Sequence, residues 1–182
     1  MSELTDDVLM SQIQQQDEHA FTLLVDRHLT ALHAFARRML GNTADAEDIV
    51  QEAFLRVWYR AHTWQPGQAK LSTWLHRIVH NLCIDLQRHR KGEKMNINIE
   101  TVQDELAAPS NTPEENLLEE QTSQQVECAL QELPEKQRSA IILCHYQGMS
   151  NRQAAEILNV SVTALESLMA RGRKTLRQRL QM

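Results

Sequence analysis

Apolar residues recur at intervals of three and four along most of the chain, which is the spacing that buries one side of an α-helix. The longest such stretch runs from Glu18 to Leu40, and Gly41 follows it as a residue that readily ends a helix. The same spacing predicts further helices at residues 5–15, 44–61, 72–90, 121–132 and 134–147. Five Gly and four Pro are few for a β-rich protein. The chain is therefore predicted to be all-α.

A helix-turn-helix pattern lies near the C-terminus, between Ser150 and Arg179. Ser150 and Ser161 suit the N-caps of two short helices, and Asn159 suits the turn between them. The second helix of such a motif can enter the major groove of DNA. Its candidate DNA-reading side, which we call the recognition face, consists of Ser161, Thr163, Glu166, Ser167, Ala170, Arg171 and Lys174. The alternative is an ordinary helical hairpin, but five cations and no acid between Arg171 and Arg179 favour DNA binding.

The predicted helix at 44–61 has a second, mixed face beside its apolar stripe. This face, which we call the acidic surface, consists of Asp48, Gln51, Glu52 and Leu55, spaced i, i+3, i+4 and i+7. Acids with a leucine among them indicate a docking surface for a basic partner helix. By spacing alone, however, a solvated acidic face is the favoured interpretation.

The predicted helix at 72–90 has a polar side opposite its apolar stripe. This side, which we call the basic helix face, consists of Arg77, His80, Asn81 and Arg88, with Ile84 as an apolar exception. Arginine and asparagine can contact phosphates and base edges. Taken alone, a face of this composition is more often only a solvated surface.

Charge divides the chain into segments. The net charge is −5, yet residues 95–134 hold nine acids and no Lys or Arg, whereas residues 135–182 hold eight Lys or Arg against three acids. Such segregation indicates a basic functional end and an acidic connector. We predict two small helical domains, at residues 1–92 and 123–182, joined by a flexible acidic linker at 93–122.

The remaining candidate chemistry is sparse. Cys83, Cys128 and Cys144 form no CxxC pair and are predicted to be free thiols, which together with the absence of a signal peptide fits a reducing cytoplasm. No apolar run approaches the roughly 20 residues of a membrane span. His76 and His80 are one helical turn apart, as zinc ligands can be, but HRIVH lacks the glutamate of HExxH and no third ligand is nearby. We predict no catalytic residue, no metal and no cofactor.

Three segments in order resemble a known family. DAEDIVQEAFLRVW (45–58), LSTWLHRIVHNLCIDLQRHR (71–90) and LQELPEKQRSAIILCHYQGMSNRQAAEIL (130–158) are similar to the bacterial RNA polymerase sigma factors, specifically the small two-domain extracytoplasmic-function (ECF) class. No single segment is decisive, but the order of all three in a short chain is specific. The resemblance implies a non-catalytic subunit that directs polymerase to promoters and helps to open the duplex.

The resemblance also implies a role for each surface. The acidic surface would dock on the clamp helices of the polymerase beta-prime subunit. The basic helix face would lie near the −10 element, with Asn81 and the loop at 64–70 holding an unstacked base. The recognition face would read the −35 element, and its domain would rest on the flap of the beta subunit. Sigma factors of this class are typically restrained by an anti-sigma factor, often one anchored in the inner membrane.

Two features depart from the family pattern or extend it. Many members have Arg or Lys where this chain has Glu166 and Leu168. The resemblance therefore does not indicate which DNA bases this chain recognises at −35. A glutamate can accept a hydrogen bond from cytosine. The acidic linker could limit DNA binding by the free chain, because its charge imitates nucleic acid. A helix-turn-helix regulator that is not a polymerase subunit remains the main alternative, although it leaves the acidic surface without a function.

Overall fold

The structure is a computed structural model, and it describes residues 4–67, 69–96 and 114–180. Helices account for most of these residues, and no strand occurs among them, so the predicted all-α class is confirmed. The helices are α1 (Asp6–Ile13), α2 (Glu18–Leu40), α3 (Thr43–Arg60), a 3-10 turn (Ala61–Thr63), α4 (Leu71–Asn96), α5 (Glu114–Gln131), α6 (Glu135–Ile141) with a π-helical turn (Ile142–Tyr146), α7 (Asn151–Leu158) and α8 (Val162–Leu180).

Several helix ends follow directly from local chemistry. The Asp17 carboxylate accepts hydrogen bonds from two backbone N–H groups at the start of α2, and Gly41 ends that helix with φ of 71°. Ser150 and Gln153 form a reciprocal capping box at the start of α7, and Asn159 ends it with φ of 52°. The first N–H groups and the last C=O groups of a helix have no partner within the helix. At these ends of α2 and α7, the residues named above provide the cap.

The N-terminal domain is formed by α1 to α4 around an apolar core. The side chains of Phe35, Met39, Val57 and Val79 are fully buried there. Phe21 packs edge-on against both Phe54 and Trp58, at ring-centroid distances of 6.4 and 5.1 Å. The apolar stripes that predicted the helices thus face one another, which is what burial of helix surface requires.

The C-terminal domain is formed by α5 to α8, with α7 and α8 as the helix-turn-helix. Gly172, in the middle of α8, is buried against α6: a Cβ atom there would lie 2.6 Å from Cδ1 of Ile141. Gly172 therefore permits the close approach of α6 and α8, a role that apolar spacing did not indicate because glycine has no side chain to pattern.

The two domains share one continuous core. Ala140, Ile142, Leu143 and Leu165 of the C-terminal domain belong to the same cluster of buried apolar residues as the core of the N-terminal domain. The predicted acidic linker at 93–122 lies largely outside the described residues, although α4 extends into it as far as Asn96 and α5 already begins at Glu114. The domains are therefore held together by direct packing as well as by the chain that connects them.

Candidate nucleic-acid interface and docking surface

The acidic surface is open along the outer side of α3. Asp48 and Gln51 are exposed, and Leu55 is 50% exposed although it is a large apolar residue. Glu52 forms an ion pair with Arg56 one turn later, with a nitrogen-to-oxygen distance of 2.7 Å. The spacing predicted that these four residues share a face of α3. Ile49, Val50 and Ala53, on the opposite side, are buried, so this face points outward.

An apolar groove between α2 and α3 continues the acidic surface. Its lining includes Gln51 and Leu55 themselves, so the two features form one surface. The other residues that line it are Phe21, Val25, Leu29, His33, Glu47, Val50 and Phe54. A groove of this kind, flanked by acids, has the character that receives an amphipathic helix with basic residues on its flanks.

The basic helix face is only partly open, because the C-terminal domain packs against it. Nη2 of Arg77 donates to the backbone oxygen of Glu156 at 3.0 Å and to its Oε1 at 3.2 Å. Nε2 of His80 lies 3.2 Å from the Ser139 hydroxyl oxygen. Asn81 and Arg88 are exposed. The structure therefore treats the four residues differently: His80 packs on Ser139, Arg77 is paired with Glu156 but its side chain stays 41% exposed, and Asn81 and Arg88 are open.

The contact continues along α4 beyond the predicted residues. We call it the domain seam, and it joins Thr73, His76, Arg77 and His80 of α4 to Ser139, Gln147, Gln153 and Glu156 of the C-terminal domain. Ile84, the apolar exception on the polar side, is buried at 5% exposure, one turn after His80. This one apolar residue on the polar side of α4 was the sequence signal that this side is also packed against another part of the protein.

His76 is a seam residue that the sequence did not indicate. Its side chain is 4% exposed and packs edge-on against the Phe35 ring at 5.4 Å. Nδ1 lies 2.7 Å from the backbone oxygen of Ser72, which can only accept, and Nε2 lies 3.3 Å from the side-chain amide of Gln147. Burial lowers the pKa of both His76 and His80, because it disfavours the charged ring.

A second contact between the domains lies at the C-terminal end of α2. Nε2 of Gln131 donates to the backbone oxygen of Arg38 at 2.7 Å, while the Arg38 guanidinium lies 4.4 Å from the centre of the Tyr146 ring. Arg37 pairs with Glu127 of α5. The C-terminal domain is therefore attached to two helices of the N-terminal domain, α2 and α4.

The recognition face is exposed along α8. Ser161, Thr163, Glu166, Ser167, Ala170, Arg171 and Lys174 are all exposed. The Ser161 hydroxyl oxygen accepts from the Ala164 backbone N–H, so Ser161 acts as the predicted N-cap. Glu166 accepts a hydrogen bond from the Asn151 side chain at 3.3 Å, which links the recognition helix to the start of α7. Leu168 is half-buried, as expected for a residue of the apolar stripe.

The loop before α4 is anchored by two tryptophans. Trp64 is 5% exposed and lies against Trp74, at a ring-centroid distance of 5.5 Å. The Gln14 side chain donates to the backbone oxygens of Ala61 and Trp64. The Trp64 ring is consequently part of the core, while residue 68 of the same loop is outside the described residues.

Little else among the described residues suggests chemistry. No cluster of His, Cys, Asp or Glu side chains suited to a metal ion occurs in that part of the chain. The two histidines considered as ligands, His76 and His80, contact the C-terminal domain through different partners. Burial raises the pKa of the Cys83 thiol to about 12, which keeps it protonated and unreactive. None of the helices described combines the length and the apolar character that a membrane span requires.

Each of the two domains matches a known protein family. Residues 24–93 match the family described as Sigma-70 region 2, and residues 123–176 match Sigma-70, region 4. The chain is 32% identical to the ECF RNA polymerase sigma factor SigW of Bacillus subtilis, over 94% of each protein. It is also 32% identical to the ECF RNA polymerase sigma-E factor of Escherichia coli K12, over 100% of this chain and 97% of that relative.

Solved structures show the same architecture. The structure of CnrH in complex with the cytosolic domain of CnrY matches with a TM-score of 0.72 and 28% identity, over 97% of each chain. The sigma factor RpoE of Bartonella quintana, crystallised with the anti-sigma factor NepR, matches with a TM-score of 0.70 and 28% identity, over 89% of this chain and 97% of that one. The similarity therefore extends over both domains.

Acidification is expected to destabilise the fold through the two seam histidines. An unfolded histidine takes up a proton as the pH falls through about 6.5, whereas burial delays protonation of His76 and His80 to a lower pH. The unfolded chain binds more protons in that interval, so the stabilisation is complete above about pH 6.5 and is lost as the pH falls towards the folded pKa values. The melting temperature should fall between about pH 7.5 and about pH 5.5, as followed by circular dichroism.

Histidine variants separate this effect from general acid sensitivity. The double variant His76→Gln, His80→Gln should lose less melting temperature over the same pH interval than the wild type. His62→Gln, at an exposed position of the loop, is the matched control and should behave as wild type. An equal loss in the double variant and the wild type would contradict the assignment.

Proposed function

The chain belongs to the ECF class of RNA polymerase sigma factors, and from that membership we propose a role for each of its three surfaces. Sigma factors are transcription initiation factors, and this one directs polymerase to promoters. The polymerase supplies the chemistry, while the sigma subunit supplies binding free energy that favours promoter over random DNA and open over closed duplex. We accordingly propose no catalytic activity for this chain, and a cytoplasmic location beside the polymerase.

The acidic surface is proposed to dock on the clamp helices of the beta-prime subunit. The observation that carries the proposal is the exposure of Leu55 beside Asp48 and Gln51, continuous with the apolar groove between α2 and α3. A DNA-binding regulator that is not a polymerase subunit leaves such a surface unexplained. Exposed apolar area bordered by charge is typical of a protein interaction site.

The two DNA-reading surfaces are proposed to act at different steps. Arg77, His80, Asn81 and Arg88 would contact the −10 element, where Asn81 and the loop at 64–70 would hold an unstacked base. Unstacking a base costs a few kcal/mol, which binding in a pocket can offset. The recognition face would lie in the major groove at −35, with Arg171 and Lys174 on phosphates, while the C-terminal domain rests on the beta flap.

An anti-sigma factor is proposed as the physiological partner. The support is the relationship to RpoE of Bartonella quintana, whose structure contains the anti-sigma factor NepR, at 28% identity. Such a partner, which in this class is often anchored in the inner membrane, would cover the apolar groove and the acidic surface. Because the groove is continuous with the acidic surface, an inhibitor bound there would also block the proposed docking of polymerase.

Transcription in vitro tests the proposed function directly. The purified chain, mixed with core polymerase and fragmented genomic DNA, should produce discrete start sites that share two upstream sequence motifs. Core polymerase alone should not produce them. Starts that are unchanged by addition of the chain would overturn the proposal and favour the helix-turn-helix regulator.

Charge reversal on the acidic surface should weaken polymerase binding. Asp48→Lys combined with Glu52→Lys brings cations towards a basic partner, and like charges at an interface are costly, so the affinity for core should fall by about ten-fold or more. Binding is measured with labelled sigma in a titration of core polymerase. Asp26→Lys, an exposed acid on α2, is the matched control. Equal affinities in all three proteins would exclude this surface.

Glu166 should determine one base of the −35 motif. Its carboxylate is exposed on the recognition face and held by Asn151, so it can accept from the exocyclic amine of cytosine, a contact worth about 1–3 kcal/mol of discrimination. Start-site mapping with Glu166→Ala should show a loss of preference at a single cytosine while the −10 motif is unchanged. Thr175→Ala, on a half-buried residue of the same helix, is the control. A −35 motif identical to that of wild type would contradict this role.

A further inference from the structure

We propose that Gln14, the residue directly after α1, is a positioning residue for promoter opening: it fixes the loop at 64–70, which is proposed to hold the unstacked base. The inference rests on that proposed role of the loop and adds to it a residue from a distant part of the chain. Gln14 lies before residues 24–93, the part that matches Sigma-70 region 2, and it belongs to none of the three surfaces described above.

The Gln14 side chain bonds to the backbone on both sides of the 3-10 turn that leads into the loop. Its amide nitrogen donates to the Ala61 oxygen at 3.0 Å and to the Trp64 oxygen at 3.3 Å. Both partners are carbonyl oxygens, which only accept, and a side-chain amide carries two N–H groups, so a single side chain can satisfy both. The bonds span 47 and 50 residues, and they join the end of α1 to the first residue of the loop.

Helix α1 gives these bonds a rigid support. The side chains of Leu9, Met10 and Ile13 are fully buried in the core of the N-terminal domain. The Gln14 backbone N–H donates to the Met10 oxygen at 3.0 Å, so the backbone of Gln14 continues a helix that the core holds in place. A functional loop is most precise when rigid elements of the scaffold support it. Gln14 therefore transmits the fixed position of α1 to the loop.

The remainder of the loop is held mainly at its ends. At the far end, the Lys70 oxygen accepts from the backbone N–H groups of Thr73 and Trp74 at the start of α4. A cleft of about 430 Å³ lies between the start of α1 and the part of the loop around Gly67. The Trp64 ring packs on Trp74, but its indole N–H finds no acceptor in the part of the chain that the structure describes. The polar restraint on Trp64 from another helix is therefore at its backbone oxygen.

A loop in the wrong place would not hold an unstacked base. Unstacking costs free energy, which a pocket for the extruded base can offset. Gln14 acts through the loop rather than on DNA, so loss of its bonds should remove the benefit of that one base. The other contacts with the promoter should keep their strength. This difference separates a positioning role from a general effect on the fold.

Two substitutions of Gln14 remove the hydrogen-bond donor. Gln14→Glu keeps the shape of the side chain but presents carboxylate oxygens, which repel the two carbonyl oxygens. Gln14→Leu removes the bonds without adding a charge. Gln15→Glu is the matched control, because it places the same charge at the neighbouring glutamine. Both positions are exposed, so each variant should fold and melt at a temperature close to that of wild type.

Binding is measured by anisotropy with core polymerase carrying each protein and a fluorescein-labelled forked promoter DNA. The fork has a double-stranded −35 element and a single-stranded non-template −10 strand, with the sequence obtained from start-site mapping. Abasic substitutions along the −10 strand first identify the position at which wild type depends most on the base. Loss of a bound base should weaken binding there by about ten-fold.

At that position, both Gln14 variants should behave as if the base were already missing. Their binding to the natural fork should be about ten-fold weaker than that of wild type, and they should lose little further affinity on the abasic fork. Gln15→Glu should reproduce wild type on both forks. A general defect would instead weaken binding to the natural and the abasic fork by the same factor.

The possible failures give different results. Equal losses on the two forks, or wild-type binding by both Gln14 variants, would overturn the positioning role while the proposed function stands. If wild type binds the fork but no abasic position matters, the base-holding role of the loop fails, and the positioning role fails with it. Fork binding by core polymerase that does not require the chain would overturn the sigma function itself.

Discussion

Helix α4 is packed on two of its sides, and the arrangement of the chain depends on that constraint. One side, with Leu75 and Val79, closes the core of the N-terminal domain, while the other, with His76 and His80, receives the C-terminal domain. A buried polar group without a partner costs about 1–3 kcal/mol, so the polar residues of the second side need hydrogen-bonding groups opposite them. Ser139, Gln147 and Gln153 supply such groups to Nε2 of His80, Nε2 of His76 and the Thr73 hydroxyl, respectively.

The same polar chemistry makes the second side of α4 suitable for two different partners. Arginine and histidine can bond to a carboxylate and a hydroxyl of a neighbouring domain, or to phosphates and base edges of DNA. An apolar side chain could make none of these bonds. The packing of α4 at the domain seam and the DNA binding proposed for its basic helix face therefore draw on the same residue types.

A sigma factor acts by binding alone, so the exposure of its surfaces determines what it can do at each stage. The acidic surface and its groove are open, which suits a chain that must be found by polymerase or by an inhibitor before it meets a promoter. The recognition face is also open along α8. Of the basic helix face, His80 packs on the C-terminal domain while Asn81 and Arg88 stay exposed.

The sequence alone predicted the fold class, several helix ends and the family. Helical periodicity gave the all-α class, caps such as Ser150 and Gly41 gave helix ends, and the order of three segments gave the ECF sigma factor family; the class and the family are confirmed. These features are local, because a periodicity or a cap involves residues within a few positions of one another. The assignments of individual residues to DNA and to polymerase remain predictions.

Only the tertiary structure decided which helix faces meet across the chain. His76 meets Gln147 and Arg77 meets Glu156 over separations of 71 and 79 residues, and Gly172 admits the side chain of Ile141. A pattern along one helix shows which side is apolar, but it does not show what will lie against a polar side. That choice depends on how the faces of both domains fit together, because a polar face can be satisfied by water, by DNA or by another domain.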